Sequence, residues 1–550
     1  MPYSRIMGQE RPSAKDMLQV PSLGSHPVLI SRKLLILGIY LQGFPPAKVQ
    51  ELSGLHTPYR DIMHRAVETA SRLVISNDDL VATIEGIECI MMETMYQNNE
   101  GNLRRAYLSI RRAVVIAQML GLDRAANSSL SKTLEPETRT RIDPEIMWFR
   151  VIQCDRYLSL MLGLPQATSD NGFADAKILE GCSPMERMER MDCAVGGRIT
   201  QRNYADMHDL TVRQEIDKLL LDAAASMPPQ WWLAPDLSTR ASDDLEALHD
   251  TIRLMNQFAH YHMLARLHIP YLLHPSTDPK YVYSKITAVM ASRELLSRFI
   301  PFRSSQNFGS FCRGVDFLAF IASTALCLAH IDARRQEKAD ADENGALLSF
   351  LSHQRPSDRG MMERVLETME HIIRTSSDRI AAKIARITRH LLAIEADAAM
   401  GGSYRTDSSQ NAHEEELECN GKISDGGAVL RIYIPHIGTI KIERDGISRS
   451  DTATAPMPAG PDIGPTMLGF DSLVSPPLSE QPGEQEQDET IPENQSFNWL
   501  VNHSDAFSFD GPAVPDAQGF DPMLDLRDEQ DLQGVDMAFF DSLFRFCGPE

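Results

Sequence analysis

Cysteine is sparse and scattered in this chain of 550 residues: Cys89, Cys154, Cys182, Cys193, Cys312, Cys327, Cys419 and Cys547 never come closer than eleven positions apart. That spacing offers no Cys-x-x-Cys redox centre and no clustered zinc ligands, and it suits a reducing compartment. Also missing are a Gly-rich phosphate cradle, a Gly-x-Ser-x-Gly nucleophile elbow and a His-Glu-x-x-His motif. The common phosphate-binding, acyl-transfer and zinc-hydrolase chemistries therefore lack their sequence marks, and the chain reads as a non-enzyme. The opening residues hold no continuous apolar core of a signal peptide, which predicts that the sequons at Asn127, Asn494 and Asn502 stay unglycosylated. The best membrane-span candidate, 317–331, is shorter than the roughly 20 residues a spanning helix needs and contains Ser323, Thr324 and His330. It predicts a buried core helix, with no membrane as partner.

Basic residues nearly vanish after position 450. Residues 451–550 carry 20 Asp or Glu against only Arg527 and Arg545, a formal charge of −18 out of −22 for the whole chain. The same stretch holds 12 of the 32 prolines and 8 of the 32 glycines. Such a composition cannot bury enough apolar surface to offset chain entropy, so 446–550 is expected to be a disordered acidic arm.

Upstream, apolar residues recur with helical periodicity from 26 to about 400. The clearest case is 102–121, where Leu103, Ala106, Tyr107, Ile110, Ala113, Val114, Ala117 and Leu120 share a face and Arg104, Arg105, Arg111 and Arg112 lie opposite. Asn102 is placed as N-cap and Gly121 as the stop. A preceding pattern at 79–96 and the short connection Gln-Asn-Asn-Glu-Gly predict an antiparallel helical hairpin. Further helices are expected at 27–42, 46–52, 60–75, 143–161, 210–225, 243–267, 280–299, 308–335 and 359–398. Residues 163–181 are rich in turn formers and read as an irregular crossing or rim. Residues 429–443 alternate β-branched and polar side chains around Pro-His-Ile-Gly, the pattern of a β-hairpin. The fold class is all-α, a multi-helix domain with a short β-hairpin near its C-terminal end. The domain plan is a disordered segment 1–25, a helical domain 26–400, a polar linker 401–427, a hairpin 428–445 and the acidic tail 446–550.

Candidate sites are few. His260, His262, His268 and His274 fall close together, but positions two apart on a helix diverge by about 200° and cannot chelate one metal, so packing or capping is the better reading. The four arginines of 102–121 suit a solvated face, since no aromatics for stacking on nucleic acid flank them. Met91, Met92, Met95, Met361, Met362 and Met369 suit adaptable core packing, with a pliable ligand cavity as the lesser alternative. The tail is more specific. Phe497, Trp499, Phe507 and Phe509, then Phe539, Phe540, Leu543 and Phe544, are interleaved with Asp and Glu. Acidic residues keep such aromatics solvated while leaving them available to a partner groove, the composition of an amphipathic activation segment that binds a transcriptional coactivator. From Asp536 a helix would place Phe539 with Leu543 and Phe540 with Phe544 at i, i+4. A plain solubilising tail is the alternative.

Six segments in order, at 26–42, 101–122, 147–168, 260–273, 312–332 and 432–442, resemble the regulatory middle-homology domain of the fungal binuclear zinc-cluster transcription factors. The resemblance spans about 26–445 and implies an all-helical regulatory domain, dimer contacts or effector response, residence in the nucleus and control of a metabolic, including secondary-metabolite, gene cluster. It also implies an N-terminal six-cysteine, two-zinc DNA reader, and here no cysteine precedes Cys89. No zinc ligand or other cofactor residue is therefore carried over. DNA is expected to be reached through a partner on the helical domain or through an N-terminal module missing from this sequence. The alternative function is a helical small-molecule-binding or scaffold protein without activating function.

Overall fold

A computed structural model describes residues 17–44, 52, 54–124, 133–235, 245–274, 279–305, 312–339, 345–376, 378–409, 429–444 and 544–547. Local signals set most helix ends. Helix α1 (Pro27–Gln42) opens on a proline whose missing N–H costs nothing there and ends at Gly43. Helix α2 (Tyr59–Ala70) runs on into a π-turn, Ser71–Ile75, so the expected 60–75 element is present with a wider last stretch. Helix α3 (Ile84–Glu100) starts where Thr83 Oγ1 accepts from Gly86 N, five residues later than periodicity placed it, because Asp78–Val81 forms a separate turn. Gly101, at φ +86°, reverses the chain into α4 (Leu103–Met119), and the two pack as the expected hairpin.

Helix α5 (Pro144–Leu162) is capped by Asp143 and stopped by Gly163 at φ +70°. The segment after it is irregular as expected, apart from the short turns Gly172–Ala174 and Ala176–Glu180. Arg156 on α5 holds this crossing by donating to Asn171 Oδ1 at 2.7 Å and to the carbonyls of Asp170 at 2.6 Å and Thr168 at 3.3 Å. Helix α6 (Pro184–Gln201) opens on a reciprocal Ser183–Glu186 capping box. Helices α7 (Leu210–Ala224), α8 (Leu245–His268), α9 (Val282–Ser304) and α10 (Arg313–Ala339) follow.

One long helix expected at 359–398 is instead two, α11 (Gly345–Ser376) and α12 (Arg379–Ala399). Asp378 breaks the run by accepting from Ala381 N at 2.9 Å, while α11 begins earlier and passes through Pro356. The expected 46–52 helix lies almost wholly outside the described residues. Consecutive helices pack in pairs, and α10 runs between α9, α11 and α12. Its apolar stretch, 313–335, is longer than the 317–331 expected and does reach membrane-spanning length and composition, and it is entirely buried by its neighbours, as a core helix is. Leu318, Phe320, Ile321, Leu326 and Cys327 place it at the centre of the main core.

The expected hairpin is β2 with β3. Strand β1 (Tyr404–Ser409) precedes it, then β2 (Val429–Ile434), β3 (Gly438–Arg444) and β4 (Phe544–Cys547) complete an antiparallel sheet ordered β1-β3-β2-β4. Leu430, Ile432, Ile434, Ile440 and Ile442 turn one face of it into the core. Two strands depart from the domain plan. Strand β1 falls in the stretch expected to be linker, since an edge strand needs backbone pairing more than apolar alternation and Tyr-Arg-Thr-Asp-Ser-Ser shows little. Strand β4 falls in the tail and corrects the helix expected to run through Phe544. Residues 544–547 pair with β2, Ile432 opposite Phe544 and Val429 opposite Cys547, because β2 offers a free edge that the local i, i+4 pattern could not anticipate.

Candidate functional site

Phe497, Trp499, Phe507, Phe509, Phe539, Phe540 and Leu543, singled out for coactivator binding, lie outside the described residues. Phe544 is the first residue of β4, which brings residues 544–547 to the sheet edge.

The histidine cluster separates. His260 Nδ1 lies 3.2 Å from Asp192 Oδ1, and His268 Nε2 lies 3.1 Å from Asp217 Oδ1. The ring of His274 stacks on Tyr281 with centroids 4.4 Å apart. His262 is buried, and burial together with Arg266 holds its imidazole well below the ordinary range. The methionines are core filling: Met91, Met92, Met362 and Met369 are buried in the main cluster, with Met361 and Met95 packed against it. The arginine face is only partly solvated. Arg111 reaches the buried Asp155 at 3.3 Å, and Arg112 bonds Asp78 Oδ1 at 2.6 Å and the Ile75 carbonyl at 2.7 Å, so both fasten α4 to its neighbours.

Most buried arginines elsewhere face a carboxylate. Arg293 grips Asp358 through Nε–Oδ1 at 2.6 Å and Nη2–Oδ2 at 2.7 Å, Arg303 lies 2.7 Å from Asp316, and Arg150 lies 2.9 Å from Glu189. Such pairing is the ordinary condition for charge in a core.

Arg156 and Arg190 are buried on carbonyl partners instead, and so is a centre where α5, α6, α7 and α8 meet the β2–β3 turn. Arg266, 2 % exposed, donates from Nη1 to the Pro435 carbonyl at 2.7 Å and from Nη2 to the Leu160 carbonyl at 2.6 Å. Leu160 sits in the last turn of α5, whose carbonyls have no partner within the helix and favour a cation. Gly163 makes the approach possible, because a Cβ there would lie 2.9 Å from Pro435 Cβ. Arg202, just past α6, donates from Nη2 to the Arg266 carbonyl at 3.4 Å. Arg213 on α7 is buried with its guanidinium 5.1 Å from the Tyr283 ring. Tyr271, from the turn Ile269–Leu273, is fully buried.

Burial pulls Arg266 down to about 9, with Tyr433 opposing and the Arg202 charge adding to the fall. Burial likewise pulls Arg202 down to about 10, with Tyr271 and Asp206 opposing. His436, at φ +64° in the turn, is lowered to about 4 by burial and by Arg266, a Ser159 backbone bond opposing. None of Arg202, Arg213, Arg266 and Tyr271 was singled out from the sequence. The signal was present in Ala-Arg-Leu-His-Ile-Pro-Tyr-Leu-Leu, where Arg266 and Tyr271 interrupt an otherwise apolar run.

No family model and no solved structure matches the chain. Curated proteins do. A dehydrocurvularin biosynthesis regulator of Aspergillus terreus is 38% identical over 572 residues, covering 100% of this chain and 76% of the relative. The probable transcription factor gsfR1 of Penicillium aethiopicum is 33% identical over 549 residues, covering 96% of this chain and 74% of the relative. Transcription factor eupR of a Phoma species is 39% identical over 263 residues, covering 47% of this chain and 56% of the relative. These relatives are regulators rather than enzymes, and a match of this length and identity shows that the chain belongs to their family of fungal pathway transcription factors.

Proposed function

We propose that this transcription regulator is a nuclear activator of a fungal secondary-metabolite gene cluster, with 26–400 as its regulatory domain and 446–550 as its activating arm. The observation that carries the reading is the tail's composition, a charge of −18 in which Phe497, Trp499, Phe507, Phe509, Phe539, Phe540, Leu543 and Phe544 are set among acidic residues. Carboxylates repel one another and keep the arm extended, while the aromatics supply apolar anchors for a coactivator groove. The names of the relatives support pathway-specific control. DNA is reached through a partner held by the helical domain or through an N-terminal zinc module, and a dimer contact on that domain belongs to the same reading. No zinc or other cofactor ligand is assigned within this chain.

The test fuses the full chain, and separately residues 446–550, to a foreign DNA-binding module and reads a reporter. The expected result is activation that falls to background when Phe539, Phe540, Leu543 and Phe544 are all replaced by Ala. Undiminished activation removes these side chains from the mechanism. Absence of activation by both wild-type fusions favours the alternative, a helical small-molecule-binding or scaffold protein without activating function.

A further inference from the structure

We propose that the edge of β2 is a strand-docking surface whose occupant, residues 544–547, cannot be held there and serve a coactivator at the same time. Strand β2 pairs along one edge with β3 from Val429 to Ile434, and along the other with β4 only from Val429 to Ile432. The strand order is β1-β3-β2-β4, so β2 becomes the outermost strand whenever β4 leaves, with a row of backbone groups open to pairing.

The register defines what this edge accepts. Residues directly opposite in an antiparallel pair lie on the same face of the sheet. Phe544 stands opposite Ile432 and Phe546 opposite Leu430, and both of these β2 residues are buried on the core side. Strand β4 therefore brings apolar residues to the two positions where the core face continues. The other face works against it. Across the sheet the row runs Asp407, Lys441, Arg431, Arg545, so β4 sets a cation beside Arg431, which already has Lys441 on its other side. Like charges directly opposite weaken a strand pair, and Phe544–Cys547 is short for a strand. The edge is best matched by an extended segment with an acidic residue between two apolar ones. Residues 544–547 meet it at the apolar positions alone, which makes the hold reversible.

A helix through 536–544 would bring Phe540 and Phe544 together at i, i+4 for a coactivator groove, and it needs helical backbone at Phe544. On β2 the same residue is in a strand. One residue cannot be both, so docking withdraws Phe544 from the activating surface and coactivator binding empties the β2 edge. The occupant is this chain's own segment because the covalent stretch 445–543 keeps it at a local concentration that a separate copy does not reach in dilute solution. The competition rests on the activating-arm reading, whereas the docking does not, and the two are measured separately.

Amide hydrogen exchange over 429–434 is followed in the purified full chain, with α10 as internal reference, and the full chain fused to a foreign DNA-binding module reports activation. Phe546→Asp puts a charge at a core-side position and leaves Phe539, Phe540, Leu543 and Phe544 in place. It should speed exchange at the β2 amides that face β4 about tenfold and raise activation several-fold. Arg545→Glu gives Arg431 an opposite charge for a neighbour in place of a like one. It should slow the same exchange and lower activation, although it makes the arm more acidic. That opposite sign separates docking from a plain effect of acidity, and it decides the matter where Phe546→Asp loosens α10 as well. Unchanged β2 exchange in both variants overturns the docking, and protection that fades on dilution overturns it by assigning the edge to a second copy. Exchange that responds as expected while activation stays constant, or rises with Arg545→Glu, overturns the competition alone. If the wild-type fusions of the full chain and of 446–550 both fail to activate, the activating-arm reading and the competition fall together, while the exchange result still decides the docking.

Discussion

Replacing Asp358 by Asn should cost about 3–5 kcal/mol of folding stability, the usual penalty for removing one member of a buried ion pair. Asp358 on α11 is fully buried and joins three helices: Arg293 of α9 donates at 2.6 and 2.7 Å, and His330 Nε2 of α10 lies 2.7 Å from Oδ2. Burial alone would raise its pKa, but Arg293 and His330 outweigh burial and hold it below the ordinary 3.8. The amide keeps the shape and discards the charge, so the desolvated Arg293 guanidinium loses the Asp358 carboxylate. Urea unfolding at pH 7, followed by circular dichroism and tryptophan fluorescence, measures the loss as a lower midpoint at unchanged slope. Replacing both partners, Asp358→Leu with Arg293→Met, should recover most of it, since the desolvation cost leaves with the charges. The pH dependence has a definite sign. A depressed carboxylate pKa contributes stability that is complete above 3.8 and fades as pH falls through the folded-state value, so the wild-type and Asn curves converge in that acid range. A loss below about 1 kcal/mol, or a double variant as unstable as the single one, refutes the reasoning.

Gly101→Ala should destabilise the α3–α4 hairpin by about 1–2 kcal/mol, because an L-residue at φ +86° is strained and its Cβ would overlap Ile380 Cδ1. Denaturant melts check it, and an unchanged midpoint contradicts it. His436, lowered to about 4 against an ordinary 6.5, contributes stability present above 6.5 and lost as pH falls towards 4, on the order of 3 kcal/mol. His436→Gln should flatten the stability profile across that window, and an unchanged slope would show that the ring is solvated. Burial raises the thiols of Cys312 to about 11 and of Cys154 and Cys193 to about 12, and those of Cys89 and Cys327 further. At pH 8 these five should resist a thiol reagent until the protein is unfolded, because the thiolate is the reacting form. Mass mapping of labelled peptides reads the result, and rapid labelling of any of them in the folded protein contradicts their burial.

Elements whose ends carry their own chemistry were legible without the fold. Pro27 and Gly43 bound α1, Asp143 and Gly163 bound α5, and Gly101 and Gly121 frame α4, whereas the start of α3 at Thr83 was placed five residues early. The β2–β3 hairpin was legible for a related reason: an alternation of period two around a turn is a local property. Helix α6 was missed because Gly196 and Gly197 dilute its periodicity. Gly197 is there because a Cβ would come within 3.0 Å of the Arg156 guanidinium, a neighbour 41 positions away in the chain.

Composition and periodicity, being sums over adjacent residues, were enough to separate a helical body from an acidic, aromatic arm and to mark the chain as resembling a family of transcription factors. The destination of each charge was a matter for the tertiary structure. Arg111, Arg266 and Arg293 look alike as letters on helical faces, yet one reaches a half-exposed pairing with Asp155, one ties the hairpin to α5 without a carboxylate, and one is locked onto Asp358. Those fates depend on partners 44, 65 or 169 positions away and on how completely the intervening helices exclude water. Desolvation is a property of the packed assembly, so the centre at Arg202, Arg213, Arg266 and Tyr271 exists only once five elements have closed around it.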